Sequence, residues 1–133
     1  MIDLRGEGVH AHKEFNEFHI MGSVSFPHGW INRYNHFNAL QRFKNLDNKV
    51  IIVIHDNERH GTHFAKVLCE KGFGNIYLLT GGIQQFYIDF PKLVEGLDIP
   101  DYDEFKWYVQ TSISPSKKKW TTATFFCNAL NFK

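Results

Sequence analysis

The sequence predicts an α/β domain built on an open, mostly parallel sheet with helices on both faces. Three observations predict it. Residues 50–54 are five β-branched side chains in a row, Val50, Ile51, Ile52, Val53 and Ile54, as in a strand buried on both faces at the centre of a parallel sheet. Strand-like and helix-like stretches alternate on either side of it, the order that a parallel sheet with crossover helices produces. Glycines fall at Gly72, where a helix should stop, and at Gly81-Gly82, where a strand should hand over to the next helix.

The elements follow in order. Ile2-Asp3-Leu4-Arg5 is a short strand that breaks off at Gly6, and Met1 stands directly before it, so the domain is expected to start at an internal strand with material missing upstream. Residues 13–18 read as a helical turn and 19–26 as a strand closed by Pro27. Between 30 and 43 the apolar residues Trp30, Ile31, Tyr34, Phe37, Leu40 and Phe43 recur at three- and four-residue steps, which predicts one buried helix face. Asp47-Asn48 turns the chain into the central strand. A polar loop over 55–61 comes next, then a helix over 62–71, a strand over 76–79 and a helix over 83–90 with Pro91 beyond it. In such sheets ligands sit beyond the C-terminal strand ends, which makes the 55–61 loop the candidate site. From Leu97 the pattern weakens into an acidic stretch over 98–104 and a polar, basic linker over 112–119. The expected organisation is one domain over 1–96 and a C-terminal extension over 97–133.

Bulk properties narrow the function. With 133 residues, 43% of them hydrophobic, the chain can close one compact core. A net charge of +1 gives no broad field for nucleic acid or an anionic membrane, so neither is expected as a partner and recognition must be local. Cys69 and Cys127 lie far apart and no apolar signal segment opens the chain, which argues against a secreted disulfide scaffold and for a reducing, cytoplasmic setting.

Several motifs agree in order with one family. Asp3-Leu4-Arg5 matches an Asp-x-Arg strand end, and Glu14-Phe15 followed by His19-Ile20-Met21-Gly22-Ser23 matches a Glu-aromatic and His-Ile-Pro-Gly-Ala pair, with Phe18 and Met21 replacing the usual Gly and Pro. Gly72-Phe73-Gly74-Asn75-Ile76-Tyr77 and Thr80-Gly81-Gly82 match Gly-Phe-x-Asn-Val-Tyr and Gly-Gly elements. Over residues 2–95 the chain thereby resembles the rhodanese-like domains. Catalytic members carry a cysteine at the mouth of the central strand, within a ring of backbone N–H groups. Here that place falls on His55 or Asp56, in the run His55-Asp56-Asn57-Glu58-Arg59-His60-Gly61, and neither is cysteine. More narrowly, the acidic loop Asp56-Asn57-Glu58-Arg59 and the pair Phe90-Pro91 resemble the rhodanese-like centrosomal and ciliary proteins associated with tubulin polyglutamylation. That resemblance implies a non-catalytic module without cofactor, at the centrosome, basal body or cilium. Its expected partner is a tubulin-modifying or centrosomal protein, bound through Asp56, Glu58 and Arg59.

The alternative is a sulfurtransferase or phosphatase-related enzyme with a non-standard nucleophile. Persulfide chemistry proceeds through a thiolate that imidazole and carboxylate cannot replace. Asp56 and Glu58 would also repel an anionic donor, by up to roughly 4 kcal/mol per pair of charges about 4 Å apart at an effective dielectric near 20. Arg59 is expected to pair with one of these acids. Aspartyl chemistry at Asp56 lacks a metal-binding carboxylate set. Cys69 sits within the predicted helix, where a buried cysteine commonly serves as a small core residue. His60 and His63 are three apart with His55 near, but no spacing matches a zinc signature, so no metal is expected. His19 reads as a structural residue at the strand turn. Lys117-Lys118-Lys119, beside Trp120, reads as a solvated run.

The resemblance carries one more expectation. The family normally has a further N-terminal strand beside the one matching residues 76–79, and this chain starts too late to supply it. An open edge is an aggregation hazard that proteins usually cover. The β-rich stretch over 120–126, or a strand from a partner, is expected to cover it.

Overall fold

The computed structural model describes residues 1–112 together with the backbone pairing of residues 124 and 125. Its sheet has five strands: β1 (Ile2–Asp3), β3 (Val24–Ser25), β4 (Ile51–Ile54), β5 (Ile76–Leu78) and β7 (Thr124–Phe125), in the order β3-β1-β4-β5-β7. The first three pairings are parallel, as predicted, and β7 runs antiparallel to β5 with Tyr77 opposite Phe125. The edge expected to lie open beside β5 is thus lined by two residues of the C-terminal stretch. The run Lys117-Lys118-Lys119, Trp120 and the remainder of the 120–126 stretch lie outside the described residues.

Alternation along β4 divides the core into two layers. Ile51 and Val53 point to one face, where Leu4, Phe26, Leu40, Leu68, Phe73 and Ile76 join them. Ile52 and Ile54 point to the other, against Phe18, Ile20, Leu79, Ile83 and Tyr87. Each fully buried side chain of this size contributes about 1.5–3 kcal/mol by leaving water, so both faces of β4 are committed to packing. Beyond the short helix α1 (Lys13–Glu17), helices α2 (Tyr34–Gln41) and α3 (Glu58–Glu70) cover the first layer. Helix α4 (Gly82–Asp89) and α5 (Tyr102–Ser112) cover the second. Tyr102 and Phe105 of α5 pack on Tyr87, whose hydroxyl donates to the Pro100 carbonyl at 2.6 Å, so packing continues through residue 96 without a break. Among the described residues no helix is long and apolar enough to cross a membrane.

Three elements differ from the sequence reading. The strand expected over 19–26 is two strands, because Gly22 takes a φ of 80° in a turn closed by Ser23 N–H on the Ile20 carbonyl. Its first half, β2 (His19–Ile20), leaves the main sheet and pairs antiparallel with β6 (Val94–Glu95). The helix expected over 30–43 is a 3-10 turn (His28–Asn32) followed by α2. Extended Arg33 lies between them and resets the phase, so Ile31 and Leu40 are buried while Tyr34 and Phe43 are exposed. Helix α3 starts at Glu58 rather than at 62, so most of the expected loop is its first turn.

Candidate functional site

Strand β4 ends at Ile54, buried on both faces, and the chain must turn within three residues to enter α3. Asn57 makes the turn possible. In extended backbone conformation it caps α3, its side-chain oxygen accepting from His60 N–H at 3.1 Å. One residue earlier, Asp56 Oδ1 accepts from Asn57 N–H at 2.8 Å, and Asp56 N–H donates to His55 Nδ1 at 2.8 Å. The loop's backbone donors at residues 56, 57 and 60 are therefore occupied by the loop's own side chains. An anion would need those same groups.

The expected partner of the acids is not the one the structure provides. Among the described residues Arg59 is exposed and forms no ion pair. Asp56 is held by imidazoles instead: His55 Nδ1 lies 2.5 Å and His60 Nδ1 2.9 Å from its Oδ1. Burial would raise the Asp56 carboxyl, but hydrogen bonds from His55 and His60, the charge of His55 and the Asn57 N–H outweigh it and hold the group well below the usual carboxylate range. Glu58 adds a negative charge to the first turn of α3, where the helix dipole favours it.

The site is a concavity of about 320 Å³ lined by His55, Asp56 and His60 together with Glu7, Glu14, His28 and Phe64. Sequence reasoning missed His28 and Phe64, which stack at 4.6 Å, because the 3-10 turn that carries His28 lies far from α3 along the chain. Gly61 faces the sheet, and a Cβ there would meet Leu78 Cδ1 at 2.6 Å, so the helix start lies close against β5. The loop is fixed from behind by α4: Ile83 N–H donates to the His55 carbonyl at 2.9 Å and Gln84 N–H to that of Asp56 at 3.3 Å. His19 is structural, as expected, donating from Nδ1 to the Phe15 carbonyl at 2.7 Å while its ring stacks on Phe15.

Cys69 is buried, as expected, at 8% exposure, but it is disulfide-bonded and so offers no thiol; the other cysteine, Cys127, lies outside the described residues. It is also remote from the loop. From Asn57 to Cys69 the helix climbs about 18 Å at 1.5 Å per residue.

Residues 1–89 match the rhodanese-like domain family. The chain belongs to that family. Among curated proteins, this rhodanese-like domain is 33% identical over 91 residues to a protein of Rattus norvegicus named Centrosomal protein of 41 kDa, covering 66% of this chain and 27% of the relative. Proteins of the same name from Gallus gallus and Homo sapiens are 33% identical over 99 residues and 31% over 86, covering 73% and 63% of this chain. The chain spans about a quarter of the length of these relatives.

The depressed Asp56 carboxyl has a measurable consequence. Its folded-state value lies below the ordinary one of 3.8, so the ionised form contributes stability that is present above that value and lost as pH falls through the folded one. The side chain is 36% exposed, which discounts the contribution to about 1 kcal/mol. Asp56→Asn should cost that much at pH 7, and its deficit against wild type should shrink steadily below about pH 4. Urea denaturation across that range measures both, and a deficit that does not depend on pH contradicts the assignment.

Proposed function

We propose that this chain is a non-catalytic rhodanese-like module that binds a protein partner in a centrosomal or ciliary assembly linked to tubulin glutamylation. The observation that carries this reading is the self-occupied loop. Where catalytic members need a thiolate and free backbone donors, this loop offers His55 and Asp56, and its N–H groups at residues 56, 57 and 60 already have partners. A sulfur donor would find neither a nucleophile nor an anion cradle. The relatives named as centrosomal support the cellular setting.

Binding is assigned to the loop's outer face. Arg59 is exposed and unpaired among the described residues, and Glu58 beside it has no ion pair there either, so both charges are available to a partner. Asp56, at 36% exposure, completes the patch. The test is an affinity capture from ciliated cells using the wild-type chain beside Glu58→Ala/Arg59→Ala, with a thiosulfate–cyanide sulfur-transfer assay on the same preparations. The expected result is a centrosomal or tubulin-modifying protein retained by the wild type and lost by the double variant, with no sulfur transfer by either. Capture that is indifferent to the two charges would move the interface elsewhere. Turnover of thiosulfate would end the non-catalytic reading.

A further inference from the structure

We propose that His55, Asp56 and His60 form a binding site for a borderline divalent transition-metal ion, of the zinc type, at the C-terminal end of β4. One ring nitrogen of each histidine and a carboxylate oxygen of Asp56 all lie within 4.8 Å of one another, and among the described residues no other three such side chains converge in this way. Imidazole and carboxylate together suit a borderline ion. Ligands about 2.0–2.1 Å from a tetrahedral zinc ion stand about 3.3 Å apart. Both separations to Asp56 Oδ1, 2.5 Å from His55 and 2.9 Å from His60, are within an ångström of that distance. Small side-chain rotations would open the set around an ion.

The close contacts point the same way. The Asp56 N–H stands 2.8 Å from His55 Nδ1. A carboxylate oxygen stands 2.5 Å from the same nitrogen. Two lone pairs at that separation repel unless a cation lies between them, and the cation is either a proton or a metal ion. Where an ion takes the place of that proton, His55 carries its hydrogen on Nε2 and ligates through Nδ1.

The surroundings suit positive charge despite the nearby helix N-terminus, which opposes it. Asp56 brings a carboxylate as a ligand, and Glu7 and Glu14 line the same concavity. Three protein donors leave at least one coordination position for water on the side of that concavity, as in open rather than closed zinc sites. Metal uptake would displace the proton shared by Asp56 and the histidines, so it should release protons and weaken as pH falls. The site does not depend on what the outer face binds. The two share Asp56, but the metal set adds His55 and His60, whereas the proposed protein contact is tested at Glu58 and Arg59.

The test titrates chelator-stripped full chain with zinc chloride by calorimetry, and with cobalt chloride by visible absorption. One ion per chain is expected, with cobalt giving the intense d–d bands of a four- or five-coordinate site. His60 is 54% exposed, so His60→Ala should fold, and its affinity for zinc should fall at least about a hundredfold, since loss of mere supporting contacts already costs up to that much. His63→Ala, outside the set, should bind as wild type does. Zinc should raise the melting temperature of wild type and His63→Ala but not of His60→Ala. Absence of saturable zinc binding would assign the intervening cation as a proton and overturn the proposal. So would binding that survives His60→Ala or disappears in His63→Ala.

Discussion

Asp3→Ala is expected to destabilise the protein by about 3–5 kcal/mol, because it leaves a buried guanidinium without its counter-ion. Asp3 and Arg5 are 0% and 3% exposed. Arg5 Nη2 donates to Asp3 Oδ2 at 2.8 Å and Nε to Oδ1 at 3.0 Å, a bidentate pair that also takes up the Arg5 backbone N–H. Nη2 also donates to the Phe18 carbonyl at 2.6 Å, and the guanidinium lies 4.9 Å from the centre of the Phe18 ring. Removing Asp3 therefore breaks three side-chain bonds and one backbone bond at once. The pair's net contribution is another matter, since each ion gave up its hydration to be there. Asp3→Ala/Arg5→Leu should accordingly be less destabilised than Asp3→Ala alone. Urea midpoints of the three proteins decide it, and an additive double variant would show that the two residues are not coupled.

Gly82→Ala should cost at least about 2 kcal/mol, by two routes that act together. Gly82 has a φ of 64°, which a side chain rarely tolerates, and its added Cβ would stand 2.6 Å from the His55 carbonyl oxygen, 2.7 Å from that of Asp56 and 2.8 Å from Asn57 Cα. All three are backbone atoms, so no flexible side chain can move aside. Relief would have to come from withdrawing α4 or the loop, which would break the bonds from Ile83 and Gln84 that hold the loop. Gly29 is the internal control: a Cβ there meets nothing within 4 Å. Gly29→Ala should change stability by less than about 0.5 kcal/mol. Thermal melts of the pair test the argument, and equal effects at both positions would refute it.

The parts of the fold that were legible in the sequence are those in which a local pattern coincides with burial. Of the five β-branched residues over 50–54, Ile51–Ile54 form the interior strand while Val50 stays exposed before it, and the Gly81-Gly82 pair matches the close approach just described. Residues 19–26 misled because apolar content continues across Gly22, and nothing local reveals that the two halves join different sheets. The pairing of β2 with β6 is set by a partner more than seventy positions away. At the site, apolar periodicity begins only at 62, although Asn57 offers a cap three residues before His60. A helix started at Glu58 places Asp56 and His60 one turn apart and makes their contact legible. The arrival of His28 and Glu14 would still have been hidden, since only the three-dimensional path of the chain brings them there.

The position of β1 between β3 and β4 bears on the order in which the domain assembles. Ile2 lies opposite Val53, about fifty residues away in sequence, and each residue of β1 needs both neighbours in place before it gains its bonds. The β4-α3-β5 unit, by contrast, closes over a short stretch with Ile51 opposite Ile76. Loop-closure entropy favours that unit as the nucleus and leaves insertion of β1 for later. The histidine and aspartate ligands lie at the turn inside this early unit, so their geometry is laid down before the N-terminal strand arrives. Damage at Asp3 would then act mainly on how fast the finished domain comes apart, and little on how fast it forms.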